Sequence, residues 1–199
     1  MTDFSVPDLK QARPDSTNYE SGWARTRITA VTPTDDRLQS LASAISKTHV
    51  NGGAYVAQFE IEPDPAIAWY LSRDQVEGNF FRDFFTHEAV CKKLKAGHGM
   101  RLGGLGFEAR KPHEALTELE HIMERGGAYR SYTGDKQRLR KLVNGFAHAV
   151  NERRFTGLTV WTSSTPWSDW FFDVAWGGSH FWIDKTRGLL TILLITDTD

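Results

Sequence analysis

"PWSDWFFDVAWGGSHFWIDKTRGLLTILLITDTD", residues 166–199, decides how the chain is built. The Gly177-Gly178 pair separates two runs rich in aromatic and β-branched residues, the arrangement in which a two-residue turn joins antiparallel strands. This spacing predicts a hairpin of Phe171–Trp176 with Ser179–Asp184, in which Trp176 faces Ser179, Val174 faces Phe181 and Asp173 faces Trp182. The four residues Lys185–Gly188 then turn the chain again. That second turn predicts Asp184 opposite Leu189, Ile183 opposite Leu190, Phe181 opposite Ile192 and Ser179 opposite Leu194.

Because side chains alternate along a strand, this meander sorts its residues onto two faces. One collects Phe172, Val174, Trp176, Phe181, Ile183, Leu190, Ile192 and Leu194 and is expected to be core. The other collects Phe171, Asp173, Ala175, His180, Trp182, Asp184, Thr191, Leu193 and Ile195, a mixed face whose polar members cluster.

Upstream, "ARTRITAV" (24–31) and "AYVAQFEIEP" (54–63) read as strands. Between them Thr34 or Asp35 caps a helix whose Leu38, Leu41, Ala42 and Ile45 fall on one side. Pro63 and Pro65 break the second strand, leaving "AIAWYLS" ambiguous between helix and extended chain. A helix is predicted from about Glu77 to Ala96, with Phe80, Phe81, Phe84 and Phe85 as its core contact. Further helices follow from Pro112 to the Gly126-Gly127 pair and from Asp135 to about Arg154, and "LTVWTSS" is a strand. The fold class is therefore α+β, with a mostly antiparallel sheet, a C-terminal three- to four-stranded meander and helices packed on one face. Residues 1–22, with Pro7, Pro14, Asp15, Ser16, Asn18, Ser21 and Gly22, read as a flexible N-terminal arm, and residues 23–199 as a single α+β domain.

Hydrophobic residues make up 40% of the 199 and charged residues 25%, which suits a chain with a packed core. No run of about 18 apolar residues occurs and the first residues lack a basic, apolar leader, so a cytoplasmic, membrane-free protein is expected. The lone Cys91 reads as a structural thiol. Net charge is −1, yet residues 92–154 carry 14 Lys+Arg against 7 Asp+Glu, with acidic segments on either side. Such a block attracts phosphate or an acidic partner unless neighbouring carboxylates neutralise it.

Three classes of function follow. No Gly-x-Ser-x-Gly, His-Glu-x-x-His, Cys-x-x-Cys, Walker or dinucleotide fingerprint is present. An asymmetric charge layout with anchoring tryptophans (Trp161, Trp167, Trp170, Trp182) fits a protein-binding module of the inhibitor, immunity or adaptor kind. The alternative is a metal-assisted or acid/base hydrolase. Its catalytic set would be Asp173, His180 and Asp184, and its metal ligands Asp173, His180 and Asp197, because carboxylates beside an imidazole supply both proton transfer and metal ligation. The third is phosphate or nucleic-acid binding by Arg101, Arg110, Arg130, Arg138 and Arg140, with His98 and Arg101 in the glycine-rich "GHGMRLGGLG" loop as further binding candidates. That loop lacks the Gly-Lys-Ser/Thr ending of a nucleotide loop, and basic and aromatic residues do not interleave, so nucleic acid is the weakest of the three. The sequence names no cofactor.

Overall fold

A computed structural model describes residues 3–76, 78–94, 104–171 and 177–199. Among them six strands form one antiparallel sheet: β1 (Arg27–Val31), β2 (Gly53–Glu62), β3 (Glu108–Arg110), β4 (Leu158–Ser163), β5 (Gly178–Asp184) and β6 (Leu189–Thr196), in the order β1-β2-β6-β5-β4-β3. Seven helices surround it: α1 (Ser16–Arg25), α2 (Asp36–Ser46), α3 (Pro65–Ser72), α4 (Gly78–Thr86), α5 (Glu88–Leu94), α6 (Pro112–Arg125) and α7 (Lys136–Asn151). No described helix is long and apolar enough to cross a membrane.

The α+β class and the C-terminal meander are as the sequence suggests, and the β5–β6 register matches residue for residue. The meander's first strand is different. Both edges of β5 are taken, by β6 and by β4, with Phe181 beside Trp161 and His180 beside Thr162. The edge that a Phe171–Trp176 hairpin strand would need is thus already paired. Residues 172–176, which include Asp173, lie outside the described residues. The Gly177-Gly178 signal misled because "LTVWTS" offers the same apolar alternation and is the strand that β5 pairs with.

Helices cover both faces of the sheet, not one. Phe181, Ile183, Leu190 and Ile192 point to a cluster made with Phe80, Phe81, Phe84 and Phe85 of α4, Ile67 and Leu71 of α3 and Val90 of α5. Trp182, Leu193, Ile195 and Val160 point the other way, into α2, α6 and α7. The cause is visible in the strands: every residue of β5 after Gly178 and of β6 after Leu189 is buried, the pattern of a strand covered on both sides.

Within residues 3–22 several side chains and backbone groups tie the chain to the sheet and helices. The Asp15 carboxylate accepts from the Asn18 N–H and starts α1, whose Trp23 packs on Phe80 with ring centroids 5.1 Å apart. Ahead of it, Phe4 is buried and donates its N–H to the Lys185 carbonyl, Trp69 Nε1 donates to Gln11 O, and the Tyr70 hydroxyl donates to Pro14 O. Loop-forming composition concealed this because the anchors are single side chains with no period. The helix predicted from 77 to 96 is two, α4 and α5, separated at His87.

Candidate functional site

The C-terminal sheet, where the sequence points first, holds His180 and Asp184 four residues apart on one extended strand, roughly 13 Å by strand rise. They do not meet. His180 is wholly buried between Thr162 and Leu193, its Nδ1 has no hydrogen-bond partner, and burial pushes its pKa down to about 4. It is a neutral imidazole at physiological pH. Asp184 is occupied: its carboxylate receives Arg187 Nε at 2.6 Å and Arg154 at 3.2 Å, and the N–H groups of Thr186 and Arg187. It thereby fastens the β5–β6 turn to the end of α7.

Asp197 sits elsewhere, beyond the end of β6. Its two carboxylate oxygens accept the N–H of Asn51 at 2.9 Å and of Ala128 at 2.8 Å, joining two loops far apart in sequence. Gly127 is required there, since a Cβ on it would stand 2.0 Å from Asp197 Oδ2. Among the described residues no three His, Cys, Asp or Glu side chains come together as a metal shell. Asp173, His98 and Arg101 lie outside the described residues.

Of the four tryptophans offered as a binding surface, three are core. Trp161 packs on Phe81 and Phe181, Trp167 stacks on Phe85 and donates to Ser179 Oγ at 2.8 Å, and Trp182 meets Phe146. Burying an indole next to other rings stabilises more than leaving it wet, so the aromatic richness is consumed internally. Trp170 alone among the four is on the surface, 38% exposed.

A groove of about 1030 Å³ opens between α2, the 130–134 loop and the start of α7. It is built from periodicity. Leu38, Leu41, Ala42 and Ile45 turn one side of α2 into the core, which leaves Gln39, Ser40, Ser43 and Lys47 on the groove side. Arg138 and Leu142, one turn apart on α7, form the opposite wall, and Arg130 stands in the loop. Lys47, Arg130 and Arg138 face a single groove carboxylate, Asp36, and among the described residues none of the three is paired with an acid within 4.0 Å. Lys136 and Arg140 are paired, with Glu124 and Glu120. The basic block of the sequence is therefore partly neutralised by α6 and partly gathered here. Arg110 pairs with Glu108.

Beside the groove two apolar side chains are exposed, Val50 and Tyr129. They follow Thr48 and precede Arg130, both groove residues, and lie on the two loops that Asp197 pins. Sequence reasoning passed over Lys47, Ser40 and Ser43. The available signal was an α2 outer side rich in serine and amide where a solvated helix ordinarily carries Lys and Glu.

A second opening, of about 570 Å³, lies where α6 crosses the end of the sheet. Glu118, His121, Ser164 and the Gly177-Gly178 backbone line it. Burial raises the Glu118 carboxyl above its ordinary range, with Arg110 opposing. Comparison with known families, curated proteins and solved structures returns no match for this chain.

Proposed function

We propose that the chain is a protein-binding module of the inhibitor, immunity or adaptor kind that holds an acidic segment of its partner in the α2–α7 groove. The observation that carries this reading is the convergence of Lys47, Arg130 and Arg138, unpaired among the described residues, on one hydroxyl-lined groove. Complementary charge speeds encounter and fixes register, while exposed Val50 and Tyr129 offer a place for an apolar anchor at one end. Loops held by the Asp197 carboxylate lose little freedom when a partner docks, which lowers the cost of association.

The test uses fluorescent peptides of graded net charge, each with and without one leucine, measured by polarisation. Affinity rises with negative charge, rises again with the leucine, and falls about tenfold or more in Arg138→Glu. Equal binding of neutral and acidic peptides removes the proposal. So does a preference for single-stranded RNA with a steep salt dependence, which belongs to the phosphate-binding alternative.

A hydrolase sited away from the Asp173, His180 and Asp184 set has one supporting observation, the cavity with Glu118 and His121 beside Gly177-Gly178. A carboxyl raised by desolvation in a cleft is suited to proton transfer. Hydrolysis of an activated ester that is lost in Glu118→Gln with unchanged Tm would favour it over binding.

A further inference from the structure

A separate cavity of about 530 Å³ lies between α1 and the segment joining α3 to α4. We propose that it binds a zwitterionic aromatic small molecule, of the class of an aromatic amino acid. Its walls include the rings of Tyr19 and Tyr70, edge to face at 5.2 Å, and an aromatic ligand gains from such a wall by packing and by ring quadrupole geometry. Both signs of charge face the same space. Arg13 and Arg82 supply guanidinium groups, Glu20 and Asp15 carboxylates.

These four charges are unequally free. Asp15 already accepts from the Asn18 N–H at 2.7 Å as the cap of α1, and Arg82 shares Asp83 at 3.2 Å. Arg13 stands over the Tyr70 ring at 5.8 Å, and among the described residues it and Glu20 form no ion pair. A purely anionic ligand would lie against Glu20, and a purely cationic one against Arg13. A molecule with a carboxylate and an ammonium group on a short stem satisfies both, and its ring rests on the tyrosines. The volume is within the ordinary range for small-molecule sites, and the amides of Gln75 and Asn79 line the cavity too.

The proposal stands independently of the peptide groove, which lies at α2 and α7. Its test is calorimetric titration of the intact protein with L-phenylalanine, phenethylamine, 3-phenylpropionate and L-alanine. Phenylalanine binds saturably, and each of the other three, lacking carboxylate, ammonium or ring, binds about tenfold or more weakly. Glu20→Gln weakens phenylalanine and leaves phenylpropionate unchanged, and Arg13→Gln weakens phenylalanine and leaves phenethylamine unchanged. Both side chains are on the surface, so a circular-dichroism melt is expected to match the parent. No saturation by phenylalanine at low-millimolar concentration overturns the site. Equal affinity for the trimmed probes overturns it too, as does indifference to both substitutions in a folded protein.

Discussion

The two faces of the sheet are built by opposite means. The side under α3, α4 and α5 is a lattice of rings in which Phe181 touches Phe80, Phe81, Phe84, Phe85, Phe107 and Trp161. The side under α2, α6 and α7 is mostly aliphatic, and it is there that the strands carry Gln58, His180 and Asp184. Large rings meeting edge to face fill space with few contacts to spare, so a polar group among them would displace several partners at once. Smaller aliphatic side chains leave room for an imidazole or for a carboxylate with its guanidinium partners. The α2–α7 groove and the α6 cavity are both on this second side.

The sharpest way to break the comparison is at its centre. Phe181→Ala empties the middle of the ring lattice and is expected to destabilise by about 4 kcal/mol in urea unfolding, more than Leu193→Ala on the opposite face. Equal losses would mean that the rings confer no more than their area. Next, Asp184→Asn removes the charge that Arg187 and Arg154 share. Because the aspartate is fully buried while both arginines are partly exposed, a loss of about 3 kcal/mol is expected, with amide exchange quickening first at the 185–188 turn.

His180 tests the second face through pH. Its pKa is about 4 in the fold against about 6.5 in an unfolded chain, so between those values the unfolded state takes up the proton. The stability contributed by keeping His180 neutral is present in full above pH 6.5 and is lost as pH falls toward 4, at about 1.4 kcal/mol per unit. His49, also lowered by burial, adds to the same slope. Unfolding free energy of His180→Leu measured across this window is expected to show a flatter profile. An unchanged slope would place the buried imidazole's proton uptake elsewhere. The smallest effect is expected at Trp170→Ala, about 0.5 kcal/mol, against about 3 kcal/mol or more for Trp167→Ala.

Much of the architecture was legible because it rests on period. The α2 stripe, the four phenylalanines of α4, the Pro112 start of α6 and the β5–β6 register each repeat a local signal that tertiary contacts then reinforce. What was hidden rests on pairing between distant segments. Nothing in "LTVWTS" announces that it, and not its nearer neighbour, lies against β5. The same holds for function. Asp197 reads as one acid of a frayed terminus until Asn51 and Ala128 are brought to it. His180 and Asp184 entered one candidate set with Asp173 because their residue types suit chemistry, whereas an extended strand keeps residues four apart out of reach. The groove cations come from residues 47, 130 and 138, a set that no local window contains.

β6 is the last of the six strands to leave synthesis, yet it occupies the middle of the sheet, bonded to β2 on one side and β5 on the other. While it is still within the ribosome, β1 and β2 can pair only with each other, and β2 presents an unsatisfied apolar edge to the cell. Assembly of this sheet accordingly waits on β6, the segment that joins the β1–β2 pair to the β5 side. Its vulnerability to aggregation is greatest in the interval just before that segment emerges.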